Sequence, residues 1–284
     1  MTNNLFEVAG KVAVITGGAG VLCGEMARFL AREKVKVAIL DFNLEMADKL
    51  AEEIQSAGGA VMAVKCNVLD TPSLAAAKDQ VLHKFGRIDI LINGAGGNNP
   101  KATTSKEQLL PEDLKAKLEG EKSFFDLEPE GVQSVINLNF LGTLLPSQVF
   151  GRVMAEQRQG VIINTSSMNA FRPLTKIPAY SAAKAAVSNF TQWLAMHFAP
   201  VNIRVNAIAP GFFLTAQNQF LLTDQQTGAL TNRGKSIIAH TPMARFGKPE
   251  DLNGTLLWLC SEASAFVTGV VIPVDGGFSA YSGV

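Results

Sequence analysis

Short, nearly unbroken apolar runs alternate along the chain with longer amphipathic stretches. KVAVIT (11–16), VKVAILD (35–41), AVMAVKCNV (60–68), IDILINGAG (88–96), GVIINTSS (160–167), IRVNAIAPG (203–211) and VVIPVDGG (270–277) are the apolar runs. A strand with one wet face alternates apolar and polar residues, so a run without alternation marks a strand covered on both faces. Between the runs, LEMADKLAEEIQSAG (44–58) places apolar residues at helical spacing and stops at Gly58 and Gly59. Pro72 opens another helix, at a position where no N–H is needed. Strands alternating with helices predict an α/β fold, a parallel sheet with helices on both faces. With no repeat, linker or low-complexity segment in its 284 residues, the chain reads as one domain, 1–284.

One stretch breaks the rhythm. Residues 97–130 are polar and charged, hold three prolines and follow the fourth predicted strand. Open α/β sheets bind ligands at the carboxyl ends of their strands. The segment is therefore either a surface loop with a short helix or an inserted lid-like segment, and 212–245 is expected to form a second, substrate loop.

Apolar residues make up 47% of the chain and charged residues 18%, enough for a substantial core. A formal net charge of zero gives no basic stripe for nucleic acid. Cys23, Cys66 and Cys260 are scattered and odd in number, which fits neither a disulfide framework nor a zinc site, so no metal is expected. The start, MTNNLFEVAGKVAVIT, lacks the pattern of a signal peptide, and no apolar run reaches the ~18 residues of a membrane span. A cytoplasmic protein without membrane contact is the expectation.

The turn after the first run, TGGAGVLCGEMA (16–27), is glycine-rich and opens a helix. Such a turn aims backbone N–H groups and the positive helix end at a phosphate. Gly17, Gly18, Gly20, Val21 and Leu22 are thus candidates to hold a dinucleotide. Cys23 is read either as a thiol activated by the helix end or as a small packed residue. Asp41 ends the second strand, where a carboxylate accepts from ribose hydroxyls and repels a 2′-phosphate, favouring NAD. Its alternative is a helix cap near Leu44.

Tyr180 and Lys184 are four residues apart in PAYSAAKAAVSNFTQWLAMHF, which reads as a helix, so they share a face. An ammonium beside a phenol favours the phenolate and readies it for proton transfer. Ser167 lies 13 residues earlier, at a strand end.

With these residues in place, the chain resembles the short-chain dehydrogenase/reductase family over nearly its whole length. The matching pieces are TGGAGVLCG, NGAG (93–96), NFLG (139–142), NTSS (164–167), YSAAK (180–184) and the PG at 210–211. The resemblance implies a Rossmann-type doubly wound sheet of about seven parallel strands in a homotetramer or dimer. It implies hydride transfer between a nicotinamide and an alcohol or carbonyl carbon. By position, Tyr180 would be the acid/base. Lys184 would lower its pKa and bind the nicotinamide ribose, Ser167 would orient the substrate oxygen, and Asn139 would hold a water of the proton relay. Asn93, Gly94, Ala95 and Gly96 would line the cofactor. Asn67 and Val68 would flank the adenine, and Pro210, Gly211, Phe213 and Thr215 the nicotinamide. Four positions depart from the family pattern: Val21 and Cys23 stand for glycines, with Gly20 and Gly24 each one residue away, Asn67 stands for an aspartate and Gly94 for an asparagine.

Near Ser167 and Tyr180 the sequence supplies Asn169, Arg172 and Lys176, and the lid segment supplies Asn98. Polar groups and cations suit a hydroxylated acid, because arginine grips a carboxylate with two hydrogen bonds. The stretches NGAGGNNPKATT, FRPLTKIPAYSAAK and VDGGFSAYSGV resemble the D-mannonate oxidoreductase (fructuronate reductase) branch. That branch implies NADH-dependent reduction of D-fructuronate. A reductase of 5-keto-D-gluconate and a non-catalytic NAD-binding protein are the alternatives.

Overall fold

The computed structural model describes residues 4–114, 120–214, 219–224 and 227–283. Seven strands, all parallel, form one sheet in the order β3-β2-β1-β4-β5-β6-β7. They are β1 (Val12–Thr16), β2 (Lys36–Asp41), β3 (Val61–Lys65), β4 (Ile90–Asn93), β5 (Gly160–Thr165), β6 (Ile203–Pro210) and β7 (Val271–Val274). Each lies within one of the seven apolar runs. The runs overreach only at their ends, where turn residues continue an apolar composition without pairing.

Side chains of successive strand residues enter opposite cores. Ala13 and Ile15 of β1 join Met26, Leu30, Leu50, Ile54, Leu256 and Leu259 from α1 (Val21–Arg32), α2 (Leu44–Ser56) and α7 (Asn253–Cys260). Val12 and Val14 join Leu74, Val81, Phe150, Met154 and Leu194 from α3 (Thr71–Phe85), α5 (Gly142–Gln157) and α6 (Pro178–Phe198). Each fully buried aliphatic contributes about 1.5–3 kcal/mol, so the two layers carry most of the fold's stability. Asp70 caps α3 through the Ser73 N–H, Pro72 sits in its first turn, and Gly86 ends it at φ 80°.

The chain winds outward from β1 to β3, then returns to place β4 on the other side of β1. This reversal opens a crevice at the carboxyl ends of β1 and β4, where α/β sheets bind ligands. Thr16, Asn93 and Asn164 pair in register across that edge. The apolar runs thus end in a polar row beneath the crevice.

The described part of 97–130 holds three short 3₁₀ turns, Pro100–Ala102, Pro111–Leu114 and Phe124–Asp126, before α4 (Pro129–Ile136). Ion pairs of Lys106 with Asp113 and Glu121, and of Lys101 and Lys122 with Glu128, hold it together. The Thr104 N–H donates to the Lys176 carbonyl at 2.9 Å, tying the segment to the chain that enters α6. In α6, Leu194 enters the core and Phe198 packs against it, while Trp193 and Met196 face outward, 51% and 69% exposed. No helix of the described residues is long and apolar enough to cross a membrane.

Candidate active site

The turn after β1 is shaped by steric exclusion. Gly17 adopts φ 60°, and an added Cβ would stand 2.8 Å from the Ala95 Cα. Only glycine accepts both constraints. Gly20 ends the turn in extended conformation, and α1 starts at Val21 with no side-chain cap and no acidic residue in its first turn. The leading N–H groups of a helix have no intrahelical partner and carry partial positive charge. Gly17, Gly20, Val21 and Leu22 line a cleft of about 680 Å³. Gly18, expected there too, turns away from it. Its N–H donates to the Leu40 carbonyl, and an added Cβ would meet the Ile15 carbonyl at 2.8 Å. Its glycine serves close packing of the turn on the sheet.

Asp41 lines one end of the cleft. Its Oδ2 accepts from the Ala19 N–H at 3.1 Å and its Oδ1 from the Asn43 N–H at 2.9 Å, so the glycine turn itself orients the carboxylate. The cap of α2 is Asn43, which accepts from the Met46 N–H, so the capping alternative for Asp41 fails. Asn67 and Val68 lie on the same wall with Phe42 and Cys66, two residues the motifs did not point to. Phe42 was within reach of sequence reasoning, since it follows Asp41 directly and is 71% exposed despite its ring.

The turn after β4 supplies Gly94, Ala95, Gly96 and Gly97 to the cleft. Thr16 Oγ1 accepts from the Gly94 and Ala95 N–H groups at 3.1 and 3.4 Å. Asn93 is withdrawn from the cleft, against expectation. It is buried and donates to Ser147 Oγ at 2.9 Å and Asn164 Oδ1 at 2.8 Å, while Asn164 donates to Thr191 Oγ1. Both Asn93 amide protons are thereby committed to bracing β4 against α5 and β5, and Asn164 carries the row on to α6.

Asn139 lies in a π-helical turn, Asn137–Leu141, between α4 and α5. Such turns recur at functional sites. Its Nδ2 donates to the carbonyls of Gly97 at 2.7 Å and Val135 at 2.8 Å, and its Oδ1 accepts from the Gly97 N–H at 3.3 Å. Both amide protons are committed, so Asn139 clamps the glycine turn instead of presenting its side chain to a water. Leu138 of the same turn lines the cleft. No periodicity in the sequence marks it, because a π-turn shifts the facing by one residue.

At the other end of the cleft stand Tyr180 and Lys184, one helical turn apart on α6. The Lys184 Nζ is 5.6 Å from the Tyr180 ring centroid and donates to the Thr165 carbonyl at 2.7 Å. Burial pushes its pKa down to about 8. Burial raises that of Tyr180, and a hydrogen bond with Ser167 pulls it back in part. The net direction for Tyr180 is upward, set by loss of solvent, while the Lys184 ammonium is turned to the Thr165 carbonyl. Ser166 is buried and bonded to Ser188 Oγ and the Lys184 carbonyl, joining β5 to α6. This leaves Ser167 as the serine that meets Tyr180.

The substrate-side expectations divide. Asn169 is buried two residues beyond Ser167. Arg172 is exposed, with its Nε donating to the Ser279 carbonyl at 2.7 Å, so its first task is to hold the C-terminal segment. Asn98 donates to Thr103 Oγ1 within its own loop. Pro210 is buried at the end of β6, and an added Cβ on Gly211 would stand 2.6 Å from the Asp275 Cα. Phe213, expected beside the nicotinamide, is 4% exposed and packs on Gly247 in the core. Thr215 lies outside the described residues. Burial pushes the Cys23 thiol up to about 12, so the reading of it as a small packed residue holds. Among the described residues no three His, Cys, Asp or Glu side chains converge as a metal site would require.

A doubly wound sheet whose crevice joins a glycine turn and a strand-end aspartate to a Ser-Tyr-Lys group defines a nucleotide-dependent oxidoreductase of alcohols and carbonyls. Residues 22–279 match the family described as Enoyl-(Acyl carrier protein) reductase, and the chain belongs to the short-chain dehydrogenase/reductase family. It is 56% identical to the uncharacterised oxidoreductase UxuB of Bacillus subtilis, with 98% of each chain covered. It is 33% identical to a 2-dehydro-3-deoxy-D-gluconate 5-dehydrogenase of Dickeya dadantii, over 99% of this chain and all of that one. A crystal structure of a Haemophilus influenzae protein, provisionally assigned as a D-mannonate oxidoreductase and holding NAD, superposes with a TM-score of 0.92. It is 54% identical, with 98% of each chain covered.

Proposed function

We propose that this chain is an NAD-dependent oxidoreductase interconverting a keto-sugar acid and its hydroxy acid, with D-fructuronate and D-mannonate as the pair. The observation that carries the reading is one continuous cleft with Asp41 at one end and Tyr180 and Lys184 at the other. The likeness to the NAD-holding Haemophilus protein over 98% of both chains supports the choice of cofactor and substrate. The 33% likeness to a keto-sugar-acid enzyme favours, as a second reading, 5-keto-D-gluconate in place of D-fructuronate.

The residues present fit the dinucleotide. Close packing keeps two glycines of the cleft lining free of side chains: an added Cβ on Gly17 would stand 2.8 Å from the Ala95 Cα, and one on Gly96 2.6 Å from Asn139 Oδ1 and 3.2 Å from Lys184 Nζ. Gly20, Val21 and Leu22 would present N–H groups to the pyrophosphate, and Asp41 would accept from the adenosine ribose. NADH, when bound, supplies the hydride for the carbonyl carbon. Ser167 holds the substrate oxygen by a hydrogen bond, and the Tyr180 hydroxyl delivers a proton to it. Lys184, held by the Thr165 carbonyl, keeps its ammonium over the Tyr180 ring, 5.6 Å from the centroid. Asn139 fixes the Gly96–Gly97 turn against which the nicotinamide end would lie. The outward Trp193 and Met196 of α6 support a homodimer or homotetramer, and three buried, free cysteines suit a reducing cytoplasm.

The test is NADH oxidation with D-fructuronate, D-tagaturonate, 5-keto-D-gluconate and a plain ketone. Turnover of D-fructuronate far above the others is expected, whereas preference for 5-keto-D-gluconate would install the second reading. The pH profile supplies a further check. Reduction needs both a protonated Tyr180 and a charged Lys184, and Lys184 loses its proton first, near pH 8. At saturating NADH the reductive rate is expected to hold below pH 8 and fall above it. A rate flat from pH 7 to 10 would take Lys184 out of the reaction.

A further inference from the structure

Two departures from the family pattern, Cys23 and Gly94, lie 71 residues apart in the chain and meet in the fold. Cys23 is in the first turn of α1 and is 5% exposed. Gly94 follows β4, and its N–H is fixed by Thr16 Oγ1 at 3.1 Å. An added Cβ on Gly94 would lie only 2.1 Å from the Cys23 sulfur and 2.8 Å from the Thr16 carbonyl, but 3.5 Å from the Cys23 Cβ. Gly94 is not among the glycines with positive φ, so its conformation does not demand glycine. Space does: the Cys23 sulfur and the Thr16 carbonyl together occupy the volume that a side chain at position 94 would need. Bulk that the family pattern puts on the β4 turn is carried here by the helix.

We propose that Cys23 is a positioning residue for the dinucleotide, a thiol wedge that sets the gap between the turn opening α1 and the turn after β4, with Gly94 kept side-chain-free to receive it. The inference rests on the cleft being the NAD site. Both turns line that cleft, so the wedge fixes the spacing of the two walls between which the cofactor lies. Close-packed contacts of this kind tolerate neither a lost sulfur nor an added methyl, and two changes within one shared volume do not cost independently. Cys23 has no chemical part in the reaction.

The variants Cys23→Ala, Gly94→Ala and Cys23→Ala/Gly94→Ala, with the parent chain, separate the possibilities. NADH binding is followed by nucleotide fluorescence, and the thermal midpoint of each cofactor-free protein is measured alongside. Each single variant is expected to raise the Kd for NADH about tenfold. In the double variant the clash with the sulfur is gone but the Thr16 carbonyl still stands 2.8 Å from the added methyl, so Kd is expected to stay about tenfold above the parent instead of reaching the roughly 100-fold of two independent losses. Additive effects of the two substitutions on Kd would overturn the wedge. If Gly94→Ala fails to fold, Cys23→Ala still decides: a lowered midpoint with unchanged Kd would make Cys23 core packing only. A parent chain that binds no NADH would overturn the proposed function itself, an outcome distinct from either.

Discussion

Tyr180→Phe is expected to lower kcat by about 10²–10⁴-fold while NADH affinity stays within about twofold. The substitution removes one hydroxyl and leaves the ring in its place on α6, beneath the Lys184 Nζ. In the proposed reaction that hydroxyl is the only group of the Ser167, Tyr180 and Lys184 set with a proton to deliver at neutral pH and a place beside the substrate oxygen. Ser167 orients the oxygen but titrates far too high to act as the acid. Lys184 is turned to the Thr165 carbonyl. Because burial raises the Tyr180 pKa, the phenol stays protonated across the working range of a reductase. Its loss should therefore appear in kcat and in kcat/KM alike, the mark of an interaction made in the transition state. A variant that keeps full turnover would show that the proton comes from elsewhere.

Asp41→Ala is expected to weaken NADH binding by about 10- to 100-fold, as for loss of hydrogen bonds to a charged acceptor. Binding of NADPH should improve at the same time, since the carboxylate that repels its 2′-phosphate is gone. The structure adds a second consequence. Asp41 also accepts from the Ala19 and Asn43 N–H groups, so the alanine variant loosens the glycine turn for both cofactors. Asp41→Asn separates the two effects, because an amide oxygen retains an acceptor while losing the charge. Selectivity should shift in Asp41→Asn with a smaller loss of affinity for NADH. Kd values for both nucleotides on both variants check this, and unchanged selectivity in each would remove Asp41 from the ribose site.

Much of this was legible in the chain because the signals are local or periodic. A strand buried on both faces must be apolar throughout, and the seven runs stand out against amphipathic helices for that reason. Asp41 ends a strand, and Tyr180 and Lys184 share a face through helical spacing, so their meeting in one cleft follows from secondary structure and winding alone. The glycine turn announces itself because its backbone leaves no room for a Cβ at Gly17.

What the sequence by itself determined, then, is the doubly wound sheet, the edge at which it binds, and the residues at the two ends of the crevice. The tertiary structure alone decided which polar residues near that edge face the cleft and which brace it. Asn93 reads as a cofactor residue by motif, yet it spans to Ser147 and Asn164, 54 and 71 residues away. Arg172 reads as a carboxylate clamp, yet it holds Ser279 at the other end of the chain. The direction of the Tyr180 pKa depends on how much solvent the packed loops remove. Cys23 and Gly94 look like two separate defects until the fold sets them against each other. In each case the deciding partner is distant in sequence. Periodicity reports which face of an element is buried, whereas only packed coordinates report what that face meets.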